Sequence, residues 1–314
     1  MIVSAHLDTV FPLGTDVKVR ERGDRLVGPG ISDDGRGLAA LLALARAFSA
    51  TSLQLPHSIL FAATVGEEGE GDLRGVRYLL RERGPARHAI GFLSLDGAGL
   101  GRIVTAGPGS RRFRLTVRGP GGHSWADWGN PNPIHALGRS VVRFTELTLA
   151  PYPRTTLSVG RWAGGTSINA IPQEAWVEIE VRSQSLPELE RLAGEILRET
   201  KAAVAAANDP SNGRGTVDLT VEMIGDRPAG VTPPDAPLVR GAVAATRAVN
   251  AIPELAVSST DANLPMALGI PAITIGAGGE AGLAHTTEEW YRNLEGPEGI
   301  VRALITLLLA AEAE

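Results

Sequence analysis

The sequence predicts an α/β fold, a mostly parallel sheet with helices on both faces, interrupted by a second α+β domain. Three observations predict it. Uninterrupted apolar runs such as Ser58 to Val65 and Ala89 to Leu95 read as strands covered on both faces. Segments of helical period separate these runs, which is the βαβ rhythm of a parallel sheet. Beyond about Gly107 the strand-like runs alternate instead, as a sheet with one exposed face requires.

Taken in order, Met1 to His6 is a short apolar strand. Gly37 to Ala50 is a helix on the spacing of Leu38, Leu41, Leu42, Leu44 and Phe48. Ser58 to Val65 is a strand, Val76 to Arg83 a helix and Ala89 to Leu95 a strand. Phe113 to Arg118 then alternates, and Pro133 to Leu147 is an amphipathic helix. Thr155 to Trp162 and Ala175 to Arg182 alternate, Leu186 to Ala206 is a long helix, and Thr216 to Met223 is strand-like. That β-α-β-β-α-β order is the split βαβ, or ferredoxin-like, plan. From about Pro228 the buried rhythm resumes: helix Leu238 to Val249, strands Leu255 to Ser259 and Ala272 to Gly276, and a terminal helix. Residues 1–108 and 228–314 therefore form one discontinuous domain, and 109–227 form the insert.

Composition narrows the function. The 314 residues are 43% hydrophobic and 21% charged, a globular balance. A net charge of -5 lacks the basic footprint that nucleic-acid binding needs. With no Cys, disulfides, thiolate zinc sites and cysteine nucleophiles are excluded, so any metal is held by imidazole and carboxylate. Met1 to His6 carries no basic region ahead of an apolar run, and Ile300 to Ala311 is too short to span a bilayer. A cytoplasmic protein with no membrane partner is expected. With His6 so near the first residue, an exposed sheet edge is expected as well.

Chemistry-bearing residues cluster where buried strands end. His6-Leu7-Asp8, Asp33-Asp34, Glu67-Glu68 and Asp96 all fall there or in adjoining loops. Ligands bind at the carboxyl ends of parallel strands. His6 and Asp8 share a strand face, so the Asp8 carboxylate is expected to orient the His6 ring. The acidic pair Asp33-Asp34, opening a helix after Gly28 to Gly30, suits a cation; simple N-capping by Ser32 or Asp33 is the alternative. Glu67 and Glu68 point apart, so one can bind a metal while the other serves as general base. Taken singly, each lone acid reads more readily as a solvated loop charge; four such groups in four separate places do not.

On these stretches, together with Gly121-Gly122-His123-Ser124 and Ala284-His285-Thr286, the chain resembles the M20 family of co-catalytic metallopeptidases. The resemblance implies a catalytic domain interrupted by a lid domain. It implies two Zn²⁺ ions, with Mn²⁺ or Co²⁺ also suited, bridged by Asp33 and by a hydroxide. His6 and Asp96 complete one ion's set, Glu68 and His285 the other's. Glu67 is then the general base, Asp8 the partner of His6, His123 the oxyanion stabiliser, and Asn169 and Arg182 substrate-binding residues. In dimeric members the His equivalent to His123 reaches the neighbouring subunit, so a homodimer through the lid is open. Asp96, and the run Ser259-Thr260-Asp261-Ala262-Asn263, resemble the peptidase T branch. They imply an exopeptidase acting on the amino end of short peptides. An N-acyl-amino-acid amidohydrolase or carboxypeptidase on the same site is the first alternative, and a catalytically silent scaffold the second. Trp125 and Trp128 narrow the substrate pocket or pack a lid or dimer contact. His57, His88 and His135 match no motif.

Overall fold

A computed structural model describes residues 1–51, 55–209 and 214–312. The chain divides into two compact units, Met1–Pro108 with Arg227–Glu314, and Gly109–Asp226. The first stretch carries β1 (Ile2–His6), β2 (Arg20–Arg22), β3 (Arg25–Val27), α1 (Gly35–Ala50), β4 (Leu60–Thr64), α2 (Arg74–Leu80), β5 (Phe92–Leu95) and β6 (Arg102–Gly107). Next come β7 (Gly109–Arg118), β8 (Gly122–His123), α3 (Pro133–Thr145), β9 (Thr155–Gly164), β10 (Ala170–Ile171), β11 (Glu174–Ser183), α4 (Leu186–Ala207) and β12 (Asp218–Arg227). The chain then adds β13 (Gly230–Val231), α5 (Pro237–Ala248), β14 (Glu254–Val257), α6 (Asn263–Ala267), β15 (Ala272–Ile275), β16 (Glu280–Gly282), β17 (Trp290–Arg292) and α7 (Gly296–Glu312). Among the described residues no helix is long and apolar enough to cross a membrane.

The first unit is built on a seven-stranded sheet of order β13-β6-β15-β5-β1-β4, with β14 also pairing β6. β4, β1, β5 and β15 run parallel, while β6 and β15 are antiparallel. Alternate strand residues feed two cores. Val3, Leu93, Leu95, Ile273 and Ile275 pack under α1, α5 and α7, through Leu41, Leu44, Val239, Ala242 and Leu307. Ile2, Phe92 and Ala272 face the other way, onto Val76 and Leu80 of α2 and Leu264 and Met266 beside them. Helices on both faces explain why these strands read as unbroken apolar runs.

Three features differ from the sequence reading. The run Ser58 to Val65 gives β4, which is the sheet's edge; Leu60 is 38% exposed. Apolar residues on both strand faces report helices above and below, and carry no information about whether a neighbour closes the edge. Arg102–Gly107 is a further strand, and a small sheet of order β16-β17-β3-β2 forms from three-residue strands too short to show a period. Finally, α1 is capped by Asp34, whose Oδ1 accepts from the Gly37 amide at 3.1 Å, rather than by Ser32 or Asp33.

The second unit is a four-stranded antiparallel sheet of order β12-β7-β11-β9 with α3 and α4 on one face. Phe113, Leu115 and Val117 pack with Val177, Ile179 and Val181 beneath Leu137, Leu192 and Ile196. On the opposite face paired strands align Arg112 with Glu180 and Arg114 with Glu178, each at 2.8 Å. Those cross-strand ion pairs explain the alternation of apolar and charged residues along β7 and β11.

Both points where the chain passes out of and back into the first unit are held by one side chain. Asn263, fully buried, donates through Nδ2 to the carbonyls of Pro108 at 2.9 Å and Pro228 at 3.1 Å, and accepts from the Thr260 amide at 2.9 Å. A Cβ at Gly107 would overlap this amide group, which accounts for glycine there. Asn263→Ala strands two carbonyls and one N–H away from water. It is expected to lower the unfolding free energy of the chain by about 2–4 kcal/mol, read from urea denaturation midpoints at constant slope.

Candidate metal centre

The parallel register brings the site together. His6 pairs with Thr64 across β1 and β4, and Ser4 with Ser94 across β1 and β5, so the carboxyl ends of three strands lie side by side. His6 ends β1, Asp96 directly follows β5, and Glu67 and Glu68 stand just past β4. Asp33 arrives from the loop before α1, and His285 from the connection between β16 and β17, with its backbone in the left-handed region at φ 65°. Three donor groups converge within 4.8 Å: His6, Asp33 and Asp96; Asp33, Glu68 and His285; and His6, Glu67 and Glu68. The first two share Asp33: His6 Nε2 is 3.0 Å from its Oδ1, and His285 Nε2 is 3.1 Å from its Oδ2 and 3.1 Å from Glu68 Oε1.

The electrostatics are those of acids crowded without enough cations. Burial raises the Glu68 carboxyl to about 7, with the charges of Asp33 and Glu67 adding to it. Burial likewise lifts Asp96 to about 7, again with Asp33 and Glu67. Burial disfavours the charged His6 ring, yet the Asp33 hydrogen bond and the charges of Asp34, Asp96 and Glu67 prevail and push it up to about 11. Burial raises Glu67 too, opposed by Arg227.

The residues fit a divalent cation. His6 Nδ1 is 2.9 Å from the Asp8 carbonyl, which fixes the ring and leaves Nε2 facing carboxylate oxygens. That buried Nε2 lies 3.0 Å from Asp33 Oδ1, and a proton held there occupies the place a cation takes when it enters between imidazole and carboxylates. Imidazole and carboxylate without thiolate is a donor set for Zn, Mn or Co.

The orientation of His6 corrects one expectation. The Asp8 carbonyl holds the ring, and the Asp8 carboxylate does something else. Its Oδ1 accepts from the Gly66 amide at 2.7 Å and the Glu67 amide at 3.3 Å, and its Oδ2 from the Glu68 amide at 2.9 Å. Asp8 therefore shapes the loop that presents both glutamates. Asp34 works similarly, accepting from the His6 amide at 3.0 Å besides capping α1.

Two participants carried no signal in the sequence. Arg227 is buried, and its Nη1 donates to Glu67 Oε1 at 3.2 Å and to Ser259 Oγ at 3.1 Å, while Nη2 donates to the Glu67 carbonyl. Among the described residues its buried Nε has no hydrogen-bond partner. Glu289 accepts four hydrogen bonds from residues 30–33. The only hint of either lies in short charged runs beside recognised motifs, Asp226-Arg227-Pro228 and Glu288-Glu289.

Within the second unit, β8 and β10 pair His123 with Ala170, and the Asn169 carbonyl accepts from the Ser124 amide at 2.9 Å. His123 and Asn169 are thus neighbours. His123 Nδ1 accepts from the amides of Trp125 at 3.2 Å and Ala126 at 3.4 Å, which places the ring proton on the exposed Nε2. Trp125 and Trp128 are 87% and 84% exposed. Arg182 lies elsewhere, toward the other end of β11. Its guanidinium is bidentate on Glu180 at 2.8 and 2.9 Å, so its fork is already engaged.

A mostly parallel sheet whose strand ends gather histidine and carboxylates around a shared aspartate defines a metal-dependent hydrolase. The model of the peptidase family M20/M25/M40 matches residues 2–311, and the chain belongs to that family. It is 30% identical over 321 residues to the putative succinyl-diaminopimelate desuccinylase DapE of Mycobacterium tuberculosis, covering 98% of this chain and 80% of that protein. Among solved structures, aminopeptidase PepT from Bacillus cereus superposes with a TM-score of 0.75 at 24% identity, covering 100% of this chain and 80% of that one. A tripeptidase from Staphylococcus aureus gives 0.76 at 23% identity, covering 99% and 80%. These two likenesses establish the fold. The chain is accordingly a metallopeptidase-family hydrolase of the peptidase and amidohydrolase group.

Asp261 lies behind this centre, fully buried. The Thr64 hydroxyl is 3.1 Å from the Ala5 carbonyl and 2.5 Å from Asp261 Oδ2, and one hydroxyl proton cannot serve both acceptors. A proton on Asp261 completes the chain, and burial, with help from the Glu67 charge, raises its carboxyl to about 7. Between pH 4 and 7 the folded state then holds a proton that the unfolded state releases, so this group costs stability as pH climbs. Asp261→Asn is expected to raise the melting temperature of metal-free protein at pH 8 and leave it nearly unchanged at pH 4. Scanning calorimetry at both pH values checks this.

Proposed function

We propose that the chain is a two-metal exopeptidase that removes amino-terminal residues from short peptides. The carrying observation is the meeting of two donor sets at Asp33, while Glu67, which also converges with His6 and Glu68, is held by Arg227 and left for proton transfer. His6 and Asp96 serve one ion, Glu68 and His285 the other, and Zn²⁺ suits both. When bound, such ions acidify a water molecule and polarise the scissile carbonyl. Glu67 takes the water's proton and delivers it to the leaving amine. Its buried, raised carboxyl makes it a stronger base than a solvated glutamate, and Arg227 fixes its direction.

In this reading the first unit is catalytic and the second is the lid and dimerisation unit. His123 is the oxyanion donor, because its Nδ1 already accepts from backbone and its exposed Nε2 carries the proton. In a homodimer that donor comes from the partner copy. Asn169, beside it, contacts substrate. Arg182 is left out, since Glu180 occupies its guanidinium.

A second reading is favoured by one observation: relatives include proteins named as a desuccinylase and as probable carboxypeptidases. An N-acyl-amino-acid amidohydrolase would use the same proton transfers on a blocked amine. A free tripeptide set against its N-acetylated form separates the two, because a site that pairs a free amine rejects the blocked one strongly. The exopeptidase reading expects preference for the free amine, and the reverse preference overturns it. Glu67→Ala is expected to lower kcat by roughly 10²–10⁴-fold with metal content unchanged, measured by steady-state kinetics alongside metal analysis. Chelation should abolish turnover, and Zn²⁺, Mn²⁺ or Co²⁺ should restore it.

A further inference from the structure

Glu289 is 1% exposed and, among the described residues, has no cationic partner. A buried carboxylate of that kind is sustained only by hydrogen bonds. It has four. Oε1 accepts from the Ser32 amide at 2.8 Å, the Ser32 hydroxyl at 2.7 Å and the Asp33 amide at 2.9 Å; Oε2 accepts from the Gly30 amide at 3.1 Å. Every donor belongs to the loop that carries Asp33.

The backbone of Glu289 is tied to the same region. Its carbonyl accepts from the Gly28 amide at 2.8 Å, and β17, which starts at the next residue, pairs Trp290 with Val27 of β3. Upstream, its own amide donates to the Thr286 carbonyl at 3.1 Å, and the Thr286 amide to the Leu283 carbonyl at 3.1 Å. The Leu283–Thr286 turn contains His285, and the Thr286–Glu289 turn joins it directly to Glu289. One residue therefore grips the Asp33 loop through its side chain and the His285 turn through its main chain.

We infer that Glu289 is a positioning residue: by locking the Asp33 loop to the His285 turn, it sets the affinity of the ion shared by Asp33, Glu68 and His285. The inference rests on the two-metal reading above. Only a carboxylate meets the demand. A glutamine of the same shape offers one acceptor oxygen and turns its NH₂ toward an N–H donor, leaving a buried amide unpaired. Relief of that clash moves the loop, and Asp33 moves with it. His6 and Asp96, anchored to strand ends, stay in place, so their ion loses the placement of Asp33 alone. The other ion loses the placement of both Asp33 and His285, and the larger loss falls there.

The test is calorimetric Zn²⁺ titration of chelator-stripped protein, with a competing chelator to resolve tight sites. Wild type takes two ions under the two-metal reading. Glu289→Gln is expected to weaken the ion at His6 and Asp96 by a clearly smaller factor than the ion at His285, which weakens roughly 10–100-fold, the usual effect of losing a partner that orients ligands. His285→Ala identifies that ion by weakening the same step. Ser32→Ala deletes one of the four donors, and is expected to weaken that step by less than about tenfold. Two ions bound by Glu289→Gln at wild-type affinity, or both weakened equally, overturn the inference while the two-metal reading stands. Wild type that takes a single ion overturns the two-metal reading, and the inference with it. Should Glu289→Gln not fold, Ser32→Ala decides: a second-ion affinity equal to wild type overturns the assignment.

Discussion

Repulsion between carboxylates gathered at one edge of a parallel sheet is the constraint around which the first unit is organised. Asp33, Glu67, Glu68 and Asp96 meet where β1, β4 and β5 end, and their nearby positive partners are His6, His285 and Arg227. Burial strengthens each repulsion because little water remains to screen it. Protons collect on Glu68, Asp96 and His6 as a result. Such an arrangement is held against its own electrostatics by the rest of the fold. A divalent cation is the species that relieves it.

How it is held follows from a division of labour among chemically identical groups. Asp8, Asp34 and Glu289 are acids too, but each spends its oxygens on backbone N–H groups of the loops bearing the others. Amide donors stabilise those charges locally and rigidify the loops at the same time. The remaining four acids keep oxygens pointed inward. Supporting acids thus shape the loops, and the other four are the acids to which the proposed function gives the chemistry. The strands contribute stiffness, since Val3, Leu93 and Ile275 are locked in a close-packed core immediately behind.

Much of this was legible in one sequence, and the reasons are specific. His6 and Asp96 directly terminate apolar runs, and a charged residue there is visible against its background. Glu67 and Glu68 follow Thr64 closely enough to share that signal. Arg227 closes a strand whose outer residues are exposed, so nothing local marks it as buried. Glu289 reaches donors more than 250 positions away, a separation that no local pattern reports. Which residue of Asp33-Asp34 caps α1 was equally hidden, because both are the residue type a cap favours. Asp8 was recognised as a partner of His6, but composition cannot distinguish its carbonyl from its carboxylate.

The Asn263 clamp has a consequence for how the two units came to share one chain. Because a single amide nitrogen bonds the carbonyls of Pro108 and Pro228, the outgoing and returning strands of polypeptide start from nearly the same spot. The first unit's sheet is topologically whole without what is spliced between them. A tight turn could bridge that seam at small closure entropy. The seam is therefore a socket: the strand order of the first unit's sheet is complete whatever lies between Pro108 and Pro228.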